Sequence, residues 1–208
     1  MKSNTAPSAR SYNQTTRAEA AAAREVQILQ SFRNLLEERW LDEFTLQDVA
    51  QGAGVTQQTV IRKFGGKEGL LQALVEQIAR EVTGRLGAPV GDPDLALDHL
   101  LKDYDQVGDF VMRLLSQEQR FPVLKTFLDS GRRYHRAWVA EVFAPVLQPL
   151  KPAPREEALD ALVAATDLYI WQLLRRDLGY ERARMLGVMR RLVTGILSGL
   201  KSEIRGRS

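Results

Sequence analysis

Gln57, Gln58, Ile61 and Arg62 stand close together in the run TQQTVIRKF, from Thr56 to Phe64. Glutamine can make a bidentate pair with an adenine edge, arginine with a guanine edge, and isoleucine can lie against a thymine methyl. Each good bidentate pair discriminates between bases by about 1–3 kcal/mol. If this run is a helix that buries Val60 and Phe64, one turn apart, those four side chains point outward. Thr45, Thr56, Thr59, Lys63 and Lys67 are of the types that meet phosphate oxygens, because hydroxyls, lysines and helix N-termini fix register without reading sequence. Arg10 and Arg17 could enter a minor groove, as basic arms do, although such arms are more often simply unfolded.

A second group of side chains has the character of a small-molecule site. Tyr134, His135 and Trp138 in GRRYHRAWVAEVF, and Tyr169 and Trp171 in DLYIWQLLRRD, sit among aliphatic residues. Phe110, Arg113 and Leu114 extend the set on the same logic. Ligand pockets are commonly apolar with a few polar groups, so these eight are candidate ligand-binding residues; aromatic residues at helical spacing also serve simply as core. No charged cluster marks a counter-ion, and a hydrophobic or aromatic ligand is expected.

Enzyme chemistry finds little to work with. The chain has two histidines, His99 and His135, and neither HExxH nor GxSxG nor a glycine-rich phosphate loop. It has no cysteine, which removes thiolate metal sites, thiol nucleophiles and disulfides. His99 and Asp103, four apart in the acid-rich DHLLKDYDQVGD, could share a helix face as a partial metal site or proton-transfer pair. A solvated helix face accounts for the same acids more simply. No catalytic residue, metal or cofactor is expected.

The elements that position these groups are helices. At 208 residues and 44% hydrophobic content the chain can bury a sizeable core. The formal charge of +3 is unevenly placed, since residues 1–17 hold Lys2, Arg10 and Arg17 and no acid. That segment lacks hydrophobic periodicity and is expected to be a disordered basic arm. No stretch approaches the roughly 20 apolar residues of a membrane span, so a soluble, cytoplasmic protein is expected, without a membrane partner.

From Ala18 a long amphipathic helix is marked by Ile28, Leu29, Phe32, Leu35, Leu36 and Trp40 at three- and four-residue steps. Thr45, with Asp48 three residues on, opens a short helix in the manner of a capping box, and Gly52 and Gly54 close it. Thr56 caps the next, which Gly65 and Gly66 stop. A fourth carries Leu70, Leu71, Leu74, Ile78 and Val82 on one face until GAPVGDPD breaks it. Thereafter helical spacing persists near 93–118, 121–149, 154–177 and 180–203, with breaks at Pro122, near Gly131, at QPLKPAP and near Gly179. The expected fold is all-α and in two parts.

Two short helices joined by a glycine-containing turn form the motif that lays its second helix in the major groove. Residues 24–75 as a block resemble the N-terminal domain of the tetracycline-repressor (TetR) family, in order and in spacing. The resemblance runs through Ile28, Leu29 and Phe32, then Phe44-Thr45, Asp48-Val49-Ala50, Ala53-Gly54-Val55-Thr56, Thr59-Val60, Phe64, and Lys67-Glu68 followed by Leu70-Leu71. Ile61 stands where an aromatic is usual, Lys63 where histidine is frequent, and Gly66 where serine or asparagine often caps the next helix.

The resemblance implies a helix-turn-helix DNA-binding domain over 18–66 and a helical ligand-binding and dimerisation domain over 67–208. It implies a ligand-responsive transcriptional regulator, a repressor, that binds palindromic double-stranded operator DNA as a homodimer and is released by a small effector. Met185, Met189, Leu192, Ile196 and Leu200, interleaved with Gly195 and Gly199, could form a four-helix bundle between two copies. Leu159, Leu162, Val163, Ile170 and Leu173 would join them; the same stripes could instead be internal core. The alternative is a helical interaction protein of the same fold without specific DNA binding, which Ile61 would suit.

Overall fold

The computed structural model describes the backbone of residues 9–205 and the side chains of 19–82 and 87–200. Every regular element among the described residues is a helix, and the chain divides into two compact units, Met1–Glu76 and Gln77–Ser208. The division falls ten residues beyond the expected boundary, inside the fourth helix. The first helix, α1, runs Ala9–Glu38. Part of the expected arm, from Ala9 to Arg17, is therefore helical backbone; Met1–Ser8 lie outside the described residues, as do the side chains of Arg10 and Arg17.

In the first unit α1 is followed by α2 (Leu46–Gly52), α3 (Gln57–Phe64) and α4 (Lys67–Leu86), which continues into the second unit. Ile28, Leu29, Phe32 and Leu36 of α1 are buried with Phe44, Val49, Val60, Leu70, Leu71 and Leu74. Phe32 meets the edge of Phe44 with centroids 5.7 Å apart. The cap of α2 is a complete capping box: the Asp48 amide donates to Thr45 Oγ1 at 3.2 Å, and the Thr45 amide donates to Asp48 Oδ2 at 2.6 Å. These bonds hold the Asp48 carboxyl below its ordinary range.

The turn after α2 reverses through Gly54, at φ +64°. The Val55 amide reaches Ala50 O at 2.9 Å and the Gly54 amide reaches Gln51 O at 3.2 Å, the paired bonds of a Schellman ending. Gly52 has a different task from punctuation. A Cβ there would lie 2.3 Å from Ser31 Oγ, which itself donates to Val49 O at 2.9 Å, so its lack of a side chain lets α1 and α2 touch.

In the second unit come α5 (Pro93–Gln117), α6 (Pro122–Val142), the single turn α7 (Ala144–Leu147), α8 (Pro152–Thr166), α9 (Leu168–Gln172) and α10 (Arg182–Arg205). Proline at the first helical position starts α5, α6 and α8, where no amide bond is lost. Gly131 does not break α6, which passes through it. The stretch expected as one helix over 154–177 is divided: Asp167 is extended at ψ 152°, and Leu173–Asp177 form a π turn closed by the Leu178 amide on Leu173 O at 2.9 Å.

The core of this unit is built by Leu97, Leu100, Leu101, Val139, Leu162, Trp171, Met185 and Met189 and their neighbours. Met185, Met189, Leu159 and Leu162 are thus internal, whereas Leu192 and Leu173 are exposed. The acids of α5 are held by arginines from the far end of the chain. Arg182 bonds Asp98 at 2.9 Å and Asp105 at 3.1 Å, Arg176 grips Asp109 through Nε and Nη2, and Arg190 meets Asp94 at 2.6 Å. Arg155, reaching back to the carbonyls of Leu147, Gln148 and Leu150, ties down the turn before α8.

Candidate nucleic-acid interface and interior cavity

Helix α3 is anchored by a single fully buried side chain, Val60, with Phe64 half-buried beside it. That anchoring leaves Gln57, Gln58, Ile61 and Arg62 exposed together on the outer face, Ile61 at 41%. The Thr56 hydroxyl caps α3, accepting from the Thr59 amide at 3.3 Å and lying 2.9 Å from the Thr59 hydroxyl. Thr45, also exposed, caps α2. The N-termini of the two short helices both carry threonine hydroxyls beside backbone amides with no intrahelical partner, although that of Thr45 is engaged by Asp48 Oδ2 at 2.8 Å.

The lysines differ from this picture. Lys63 is exposed and pairs with Glu25 of α1 at 2.6 Å. Lys67 turns its ammonium inward, donating to Leu41 O at 2.6 Å and to Phe44 O, with the Phe44 ring 4.6 Å from its nitrogen. Burial lowers its pKa, against the pull of Asp42 and Asp48. Its visible work is to close the loop between α1 and α2, satisfying two carbonyls that no helix serves. Gly69 makes the tight passage from α3 to α4 possible, since a Cβ there would fall 1.8 Å from Phe64 O.

The second unit holds a partly open cavity of about 410 Å³ between the end of α4, α5, α6 and the α8–α9 break. Ile78, Val82, Leu100, Val107, Val111, Leu115, Phe127 and Leu168 give it a largely apolar wall. Among the candidate residues, Tyr134, His135 and Tyr169 line it. The other five do not. Phe110 and Leu114 are core, and Arg113 stands on α5 away from the wall and is partnered within the fold. Trp138 is buried with its indole N–H on Gly87 O. Trp171 is fully buried, packs against Gly108, where a Cβ would be 2.7 Å from its ring, and donates to Asp105 at 3.1 Å.

Sequence reasoning missed Tyr104, Thr166 and Asp167, and put Asp103 in the wrong surroundings. Asp103, expected on a solvated face, is 6% exposed and lines the cavity, itself partnered within the fold; among the described residues no cluster that could hold a metal ion forms around it or His99. The helix break frees the Thr166 carbonyl, which accepts from the Tyr104 hydroxyl at 3.0 Å. Burial, reinforced by Asp167 and Asp103, pushes that phenol well above its ordinary pKa.

The Thr166 hydroxyl donates to Leu162 O at 2.8 Å, so its one hydrogen is committed, and the contact of 3.1 Å from His135 Nε2 must be a donation by the ring. Burial lowers the His135 pKa more than Asp167 and Thr166 raise it. The imidazole is neutral, with its proton on Nε2 and a lone pair on Nδ1. Proline and glycine are absent from the sequence around the break, which left no local signal for it.

Comparison with known proteins agrees with this geometry. Residues 28–74 match the model for bacterial regulatory proteins of the tetR family. The HTH-type transcriptional regulator AlkX of Mycobacterium tuberculosis is 36% identical over 69 residues, a match covering 31% of this chain and 33% of that protein. The chain thus spans about a third of that relative's length. Three solved structures share the fold. A transcriptional regulator from Rhodococcus sp. Rha1 superposes with a TM-score of 0.66 at 17% identity, over 84% of this chain and 96% of that one. GusR of Salmonella enterica gives 0.66 at 16%, over 84% and 95%. A tetR-family transcriptional regulator from Streptomyces coelicolor gives 0.64 at 16%, over 86% and 88%.

Proposed function

We propose that the chain is a transcriptional regulator of the TetR family: a cytoplasmic, ligand-responsive repressor that binds palindromic operator DNA as a homodimer. The observation that carries the reading is the outer face of α3, where Gln57, Gln58, Ile61 and Arg62 project from a helix pinned by Val60. In a major groove the glutamines and arginine read base edges and Ile61 meets a thymine methyl, which gives its exposure a purpose. Thr45, Thr56, Thr59 and Lys63 serve the phosphates. Lys67 acts on the same surface indirectly, by holding the loop that precedes α2.

The cavity of the second unit is the effector site, with Tyr134, His135 and Tyr169 in its wall. Helix α4 supplies Ile78 and Val82 to that wall and opens, at Lys67, in the first unit. A ligand that displaces α4 changes the separation of the two recognition helices in a dimer, and they no longer match half-sites a helical turn or more apart. A coupling of about 1–3 kcal/mol changes operator affinity about 5- to 150-fold. The dimer forms through the exposed apolar side chains Tyr169, Leu173, Leu178 and Leu192, which a second copy would cover.

Selection of bound sequences from random DNA at two salt concentrations tests the reading. An inverted-repeat consensus, with affinity falling steeply with salt, is expected. A folded protein that enriches no sequence at low salt, with or without ligand, would make the chain an interaction protein of the same fold.

A further inference from the structure

Apart from the Tyr134 and Tyr169 hydroxyls, the donors of the cavity wall are already engaged, and its lining holds two carboxylates. Three hydrogens are already committed to the wall itself: Tyr104 O–H to Thr166 O, His135 Nε2–H to Thr166 Oγ1, and Ser130 O–H to Phe127 O. The one basic side chain in the lining besides His135, Arg132, is held by Glu118 at 2.6 Å and by Asp129 at 2.8 Å. Against these stand two carboxylates, Asp103 and Asp167. Asp103 is partnered within the fold, but Asp167 makes no ion pair with any described residue. Its Oδ1 caps α9 by accepting from the Tyr169 amide at 2.9 Å, and its negative charge reaches both Tyr104 and His135.

A carboxylate beside an apolar chamber, with no cation of its own, interacts best with a ligand that brings one. We propose that the effector is an amphiphilic organic cation, an apolar or aromatic body bearing a protonated amine, with Asp167 as its counter-ion. The apolar wall takes the body, and the amine donates to the Asp167 carboxylate. This inference rests on reading the cavity as the effector site, and it adds a positive charge to the hydrophobic or aromatic ligand expected from sequence.

Three probes of one skeleton test it on the full chain by titration calorimetry: phenylbutylamine, phenylbutanol and phenylbutanoate. The amine is expected to bind about tenfold or more tightly than the alcohol, as one charge-assisted hydrogen bond provides, and the carboxylate weakest. Asp167→Asn keeps the cap on α9, because asparagine caps as well as aspartate, and should bring the amine down to the alcohol's affinity while leaving the alcohol unchanged. Alcohol binding equal to the amine, tighter carboxylate binding, no binding of the amine, or an amine preference that survives Asp167→Asn each overturns the proposal. The comparison among probes on the unsubstituted chain decides the matter even if the variant does not fold. If the amine binds as expected but operator DNA is not released, the cation site stands and the release mechanism falls.

Discussion

Gln57 and Arg62 project from α3 without supporting the fold, so Gln57→Ala and Arg62→Ala should leave the melting temperature unchanged. Each should relax base preference at its own operator position by about 1–3 kcal/mol, read from binding to single-base operator variants. Lys67→Met should behave in the opposite way. Two carbonyls, of Leu41 and Phe44, lose a charged donor, and the first unit should be destabilised by about 1–3 kcal/mol. Its DNA affinity should fall for all sequences alike, in proportion to the unfolded fraction, with the salt slope kept. A lower salt slope with unchanged stability would instead return Lys67 to the phosphates. The sequence marks Lys67 by position alone; which way its ammonium turns depends on a loop 23 and 26 residues upstream, and no local pattern carries that.

At the scale of elements, the contact of α1 with α2 depends on Gly52. Gly52→Ala should cost about 1–3 kcal/mol by crowding Ser31. Ser31→Ala should cost about 1 kcal/mol through its lost bond to Val49 O. The double variant should be more stable than the sum of the two, because Ser31 Cβ is 3.4 Å from the added methyl, an ordinary contact. Strict additivity in chemical denaturation would show that the two helices part elsewhere. Starts and stops of helices were legible where they rest on local chemistry: the Thr45–Asp48 box, the Thr56 cap, Gly54, and the prolines opening α5, α6 and α8. The break at Asp167 and the π turn after it were not, because LDALVAATDLYIWQLLRRD has helical composition throughout and yields to tertiary bonds from Tyr104 and His135. The acids of α5 other than Asp103 lie at the surface as expected, but their pairing with arginines more than 60 residues away leaves no local signal.

For the whole molecule, the two buried titrating groups of the cavity wall predict how stability changes with pH. His135 has a folded pKa below its ordinary 6.5, so the unfolded chain binds the extra proton first. Stability is therefore full above about pH 6.5 and is lost as pH falls through the folded value. Tyr104 is the mirror case: its pKa is raised, its contribution is present below about pH 10 and is lost above it. Melting of the full chain should show both shoulders, and His135→Asn should flatten the acidic one below about pH 6.5 while leaving the alkaline one in place. An unchanged acidic slope in that variant would move its origin to the lowered carboxylates, such as Asp98, Glu118 and Asp129, whose own contribution is lost at lower pH.

The fixed proton of His135 also turns the ring into a spectroscopic gauge. With one nitrogen bare and the other bonded to Thr166, the two ring nitrogens of the free protein resonate far apart, and the chain has just one other histidine, His99, from which to distinguish them. Anything that protonates Nδ1, displaces the ring or lifts Thr166 from it must draw those two signals together or exchange them. Selective nitrogen labelling of histidine would therefore report any molecule that reaches this ring, with no need for DNA or for a dye.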